Sequence, residues 1–185
     1  GAHAEGRGTS ASGEASHAEG YGTQANGMYS HTEGKDTVAN GLYAHAEGVE
    51  TYATNSAHAE GYYTKAYGTA SHTEGDRTET DSEAEGAHVE GYRTYAKGKY
   101  SHAEGYYTTA YCDYVHVQGV GNIRDEENKY VHIVGNGKIS EYGNIDNRSN
   151  AHTLDWEGNA HFAGNIYSNT TYNDDETYLA APSDG

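Results

Sequence analysis

The chain has little of what ordinary protein cores are made from. One Pro, one Cys, one Met, one Trp and one Phe occur in 185 residues. A lone Cys112 excludes an internal disulfide. Leu, Ile and Val are scarce, and no apolar run is long enough to cross a bilayer as a helix. Basic residues are few: Lys and Arg total 11 against 28 Asp and Glu, for a net charge of −17. That balance opposes nucleic-acid binding, which rests on neutralising phosphates. No Ser/His/Asp arrangement, phosphate loop or CxxC pair is present. Low apolar content with high net charge is the composition of a disordered chain, but the spacing of the residues contradicts disorder.

Eight times the chain writes His-x-Glu-Gly, from His3 to Gly105. The usual interval is about 14 residues, and a fixed short period marks a solenoid. With the His counted as position one, position seven is Thr in all eight copies, from Thr9 to Thr108. Position nine is Ala in seven copies and Thr80 in the sixth. Position eleven is mostly Gly: Gly13, Gly27, Gly41, Gly68 and Gly98. Within each copy, small residues alternate with His and Glu, then with variable residues. Alternation at period two predicts strands, whose successive side chains face opposite sides. Each copy therefore reads as two short strands and two turns, one coil of a flat β-roll. Gly is expected where a turn needs positive φ, with Asn55 and Cys112 standing in for it at position eleven.

Two irregularities break the register. The fourth copy, from His45 to Ala57, is one position short, and the sixth carries two extra within the acidic run Asp76–Glu85. Such an insertion maps to a loop on one face. The chain opens inside a repeat without Met or a signal-like segment, as a piece of something longer would.

Four regions follow. Residues 1–115 form the repeat array. Residues 116–149 hold two degenerate copies, His116-Val-Gln-Gly and His132-Ile-Val-Gly, around the charged stretch Arg124–Lys129, expected to protrude. The ladder turns apolar there, as a capping coil requires. Residues 150–167 read as a β-hairpin bearing Leu154, Trp156, Phe162 and Ile166 around Glu157-Gly158-Asn159. Residues 168–185 read as a polar, acidic tail or linker.

The inward face offers only Ala, Ser, Thr and Gly, and each small side chain buries little apolar surface. A single roll is then marginal, and association is the expected remedy. The invariant outward face is the candidate seam: His3, Glu5, His17, Glu19, His31, Glu33, His45, Glu47, His58, Glu60, His72, Glu74, His88, Glu90, His102 and Glu104.

Ser-His-Ala-Glu-Gly-x-x-Thr-x-Ala-x-Gly resembles the Ser-Val-Ala-Ile-Gly-x-x-Ser-x-Ala-x-Gly repeat of YadA-like trimeric autotransporter adhesin heads, with His for Val and Glu for Ile. The resemblance implies a left-handed parallel β-roll in a homotrimer, with His and Glu turned toward the trimer interior. A second resemblance rests on Tyr130-Val-His-Ile-Val-Gly-Asn-Gly and on the run from Arg148 to Tyr167. These are similar to the C-terminal part of tail structural and tail-fibre proteins of phages and prophages of Gram-positive bacteria. It implies an extracellular, virion-tail location and a structural or adhesive segment, without enzymatic activity, that attaches to a host surface or acts as a rigid spacer. The alternatives are a trimeric adhesin head on a bacterial cell surface, and a tail-associated glycan depolymerase with carboxylates near Asp76–Glu85.

In a trimer the charge would be −51 (3 × 17). The first expectation for the ladder is a hydrogen-bond network between chains, and no cofactor. Metal binding is the second, because imidazole suits Zn, Ni and Cu. His paired with Glu would gain proton affinity and loosen the trimer as pH rises; His buried neutral would make acid the weakening condition. Tyr62, Tyr63, Tyr92, Tyr106 and Tyr107 are the candidates to face a host glycan, against the plainer role of covering the roll. The receptor would be a surface glycan or protein.

Overall fold

A computed structural model describes residues 1–165. Ile166, Tyr167 and the tail expected over 168–185 lie outside the described residues. Every regular element among those described is a strand, and the chain winds into a β-solenoid of about ten turns with a repeat of roughly 14 residues.

Each coil places one strand in each of two sheets. The histidine sheet has 12 strands, running from His3–Arg7 to Ala160–Phe162. The threonine sheet has eight, from Ser10–Ala11 to Thr109–Ala110. Neighbouring coils pair in parallel with like residues aligned: His3 beside His17, Ala4 beside Ala18, Glu5 beside Glu19. The short fourth copy keeps this alignment, with His45 beside His58 and Glu47 beside Glu60. The longer sixth copy keeps it too, with His72 beside His88. The length changes are absorbed in the turns, because a slip of one position would turn the whole ladder inside out.

Between the sheets lie Ala18, Ala25, Ala39, Ala46 and their equivalents, with Thr23, Thr37, Ser16 and Ser30, all buried. Toward the C-terminal end the core gains Val89, Val115, Val117 and Ile133.

The glycines do two different jobs, and one differs from the expectation. Gly61, at position four, has φ +108, and a Cβ there would strike the Gly75 carbonyl of the next coil. Gly27, at position eleven, has no positive φ, yet a Cβ there would land on the Gly41 carbonyl. Position eleven is therefore glycine for close stacking. Positive φ in that turn falls instead on position thirteen, on Tyr29 (59°), Tyr43 (58°), Tyr100 (51°) and Tyr114 (60°). The conformation aims the Tyr29 amide at the Glu14 carbonyl (2.8 Å) and the Tyr43 amide at Met28 (3.0 Å), which offsets the left-handed strain.

Asn55 does not stand in for Gly. Its carbonyl accepts the Ala70 amide, as Leu42 accepts Ser56, while Thr54 takes the glycine slot and accepts the Ala57 amide. Cys112 does occupy the slot, without positive φ. Its thiol points to the Asp125 carbonyl at 2.9 Å, where the chain has left the regular coil. In the sixth copy the extra residues make a turn at Asp81–Glu83, with the Ala84 amide donating to Asp81 (3.0 Å) and Ala84 filling the glycine slot.

After His116–Val120 the pattern changes. Tyr130–Asn136 pairs with it in parallel, His116 beside His132. Asn150–Asp155 then pairs antiparallel with Tyr130–Asn136, and Ala160–Phe162 pairs antiparallel with Asn150–Asp155. The stretch at Arg124–Lys129 is tied down at its root. Asp125 is buried and accepts the Glu127 and Tyr130 amides at 3.2 and 2.8 Å. Trp156 and Phe162 are about half exposed in the chain; the Trp156 indole donates to the Asn128 carbonyl at 3.0 Å.

Candidate functional site: a histidine–glutamate ladder

The parallel register brings all 16 ladder residues onto one face of one sheet. From His17 to His116 successive imidazoles stack with ring centroids 4.6–5.0 Å apart and planes within 10°. That spacing is the distance between neighbouring strands. The glutamates run beside them as a second column.

All but one of the contacts between the columns are longer than hydrogen bonds, the exception being His116–Glu104. Within a coil, Nε2 to Oε2 is 3.8 Å for His17–Glu19, 3.9 Å for His45–Glu47 and 3.8 Å for His58–Glu60. Each later His instead approaches the Glu of the preceding coil: His72–Glu60 at 4.0 Å, His88–Glu74 at 3.8 Å, His102–Glu90 at 3.7 Å, His116–Glu104 at 3.3 Å. His58 reaches Glu47 as well as its own Glu60, at 3.9 and 3.8 Å. From His17 through His116, every ladder Nε2 is closed to solvent and has no hydrogen-bond partner, although the side chains themselves are roughly a third exposed.

The electrostatics follow from this crowding. Burial, then the neighbouring imidazoles, holds His31, His58 and His102 below the ordinary histidine value. The same causes act on His88 and His132. Of the two expectations, proton affinity gained from Glu or burial in the neutral form, these five follow the second: desolvation outweighs the attraction of the carboxylates. The glutamates share protons. The Glu90 carboxyl is pushed up to about 7 by its hydrogen bond to Glu74, then by burial. Glu74, on the other side of that bond, is lowered. Glu60 is raised by its bonds to Glu47 and Glu74. A stack of carboxylates one strand apart cannot all ionise, so protonated members donate to ionised ones.

The ladder continues through the two degenerate copies, and one further member, His152, escaped the sequence reading. His132 stacks on His116 at 5.2 Å with a tilt of 48°, and His152 meets His132 edge-on at 5.6 Å. Gln118 replaces Glu and sits 3.3 Å from the His132 ring. The strand reversal before His152 breaks the period that exposed the other copies; Ala151-His152-Thr153, small-His-small, was the remaining signal.

The tyrosines form a second surface, along the first turn. Tyr92 stacks on Tyr106 at 4.8 Å, and Tyr62 meets Tyr63 edge-on at 4.3 Å. The Arg77 guanidinium lies over Tyr62 and Tyr63, and Arg93 over Tyr92 and Tyr107, at 5.3–5.6 Å. Several hydroxyls are engaged already: Tyr63 donates to Glu50 (2.9 Å), Tyr106 donates to the Gly143 carbonyl (2.7 Å), and Tyr107 accepts from Arg93 (2.7 Å). The acidic run is divided. Asp76 bridges Tyr62 and Tyr92 at the first turn, while Asp81 lies at the second, its carboxylate accepting the Tyr95 hydroxyl at 2.7 Å.

No protein-family model matches the chain, and no curated protein matches it.

Proposed function

We propose that the chain is a non-enzymatic fibrous segment that assembles as a homotrimer through its histidine–glutamate face. It serves in a phage or prophage tail, in host-surface attachment or as a rigid spacer. The supporting observation is the ladder itself. Eight coils in succession present the same pair, half-buried from His17 onward and exposed at His3 and Glu5, on a sheet face that nothing else in the described chain covers. A solenoid with an alanine and threonine interior has little apolar burial to hold it alone. Three left-handed rolls side by side would bury that face at each coil and place the tyrosine–arginine turns outside, available to a surface glycan. The split of the acids between two turns favours structure over a carboxylate-pair hydrolase, which needs two carboxyls across one cleft.

Absolute mass by light scattering, in EDTA, tests the reading. A homotrimer has three times the mass of the 19.9 kDa chain. A stable monomer would remove the basis for the assembly and for the direction assigned to the ladder.

A further inference from the structure

The orphaned imidazole nitrogens raise a question that association alone does not answer. Each ladder Nε2 from His17 to His116 is closed to water and lacks a partner. The group it faces belongs to its own chain, at every one of these histidines but His31 a Glu oxygen at 3.3–4.0 Å. Most of these separations are too long for a hydrogen bond. They are close to the separation of two ligands on one ion: bonds of about 2.0–2.2 Å in a tetrahedron put their ends about 3.3–3.6 Å apart.

We infer that the seam binds divalent transition-metal ions of the Zn²⁺, Ni²⁺ or Cu²⁺ class, held between adjacent coils by two imidazoles and one carboxylate of a single chain. Three such triads are present: His45, Glu47 and His58; His58, Glu60 and His72; and His102, Glu104 and His116. In each, one ligand atom per residue lies within 4.8 Å of the others. Two further groups, Glu19, His31, Glu33 and Glu74, His88, Glu90, have the reverse ratio. Imidazole nitrogen selects these metals over Mg²⁺ and Ca²⁺, which take oxygen sets. With the ring proton on Nδ1, each Nε2 offers the lone pair a metal needs, and the buried orphan gains its partner. The first two triads share His58, so of five groups four can be filled at once (5 − 1). The His–Glu separations need to close by only a few tenths of an ångström, which the part-exposed glutamates can supply; the two imidazoles of each triad, stacked 4.6–4.8 Å apart, must also turn out of the stack by about 1 Å to converge on one ion.

Each triad comes from one chain, so the inference does not rest on the trimer, and a metal-binding monomer and a metal-free trimer are separately readable. The experiment is a calorimetric titration of Zn²⁺ into tag-free, EDTA-stripped and desalted protein, with Ca²⁺ as comparison. Micromolar or tighter Zn²⁺ binding, at least two ions per chain, with Ca²⁺ at least tenfold weaker, is the expected result. The variant Glu47→Gln/Glu60→Gln/Glu104→Gln keeps the shape of the column and removes the carboxylate from all three His-rich triads; its Zn²⁺ affinity should fall at least tenfold. Should that variant misfold, Cu²⁺ bound to the unaltered chain still decides, because nitrogen hyperfine splitting in its electron paramagnetic resonance spectrum reports imidazole ligation. Absent Zn²⁺ binding, equal Ca²⁺ binding, a triple variant that folds and binds unchanged, or Cu²⁺ without nitrogen splitting would each overturn the inference.

Discussion

The two sheets of the solenoid begin together and end differently. The threonine sheet stops at Thr109–Ala110, while the histidine sheet continues through four more strands and reverses direction. The difference lies in what meets each edge. Beyond Thr109 the next coil supplies a side chain in place of a strand: Asn122, fully buried, accepts the Thr109 amide (2.8 Å) and donates to the Thr109 carbonyl (3.1 Å). One amide thus imitates a backbone pair and closes the sheet. Arg148 locks the same place, donating to the carbonyls of Tyr107 (2.9 Å) and Asn122 (3.1 Å). The histidine sheet has no such stopper, and Asn150–Asp155 is free to add to it. An edge either capped or paired is an edge withdrawn from aggregation.

The largest expected effect separates the stacked array from the turn between the antiparallel strands Asn150–Asp155 and Ala160–Phe162. Gly61→Ala forces a Cβ into the Gly75 backbone at φ +108; it should cost about 4 kcal/mol, or prevent folding. Gly158→Ala, at φ +88 with nothing within 4 Å, should cost about 1 kcal/mol. Chemical denaturation of both variants measures the contrast, and equal losses would dissolve it. Next is the cap. Asn122→Ala leaves a buried amide and a buried carbonyl unpaired at Thr109, for about 3 kcal/mol; hydrogen exchange should rise first at Thr109, with the His102–His116 pairing still protected. Exchange that rises equally in both sheets would mean that Asn122 does not act on one edge alone.

The pH response comes third. His31, His58, His88, His102 and His132 are lowered by burial, so the unfolded chain takes up protons that the folded one refuses. Their contribution is complete above about 6.5, the unfolded histidine value, and is lost as pH falls below it. Glu90, at about 7, acts oppositely: its contribution is present in acid and is lost as pH rises through about 7. Glu60 is raised as well and acts with Glu90; with five lowered histidines against two raised carboxyls, the chelator-treated protein is expected to melt lower at pH 5 than at pH 7. A higher melting temperature at pH 5 would contradict the neutral ladder. The smallest effect is inside the threonine sheet. The buried Thr64 hydroxyl has no partner, while Thr94 donates to the Glu90 carbonyl at 3.0 Å. Thr64→Val should be neutral or stabilising by up to about 1 kcal/mol, and Thr94→Val should cost about 1 kcal/mol; matching values would erase the distinction.

Much of the coil was legible because its signals repeat. His, Glu, Thr and Ala, recurring in phase from copy to copy, predicted two strands per coil, the inward small residues and the outward ladder. The roles of the glycines were not separable, since positive φ and close stacking both demand the same residue. Thr54 replacing a glycine could not be seen either, because a deletion in a turn has no unique place in the sequence. Asn122 and His152 lie where the period has failed, and only the register of the strands around them shows what they do. The lowered proton affinity of the histidines follows from burial and then from the stacked imidazoles, and how deeply each ring is buried is not set by its spacing in the chain.

Whether the ladder is the assembly seam is tested most directly by cross-linking. In a Cys112→Ser background, Glu60→Cys places a thiol in the ladder and Gln24→Cys places one on the exposed side of the threonine sheet. Mild oxidation should give covalent dimers between chains from Glu60→Cys and none from Gln24→Cys. Dimers from Gln24→Cys alone, or from neither, would contradict the direction assigned to the ladder.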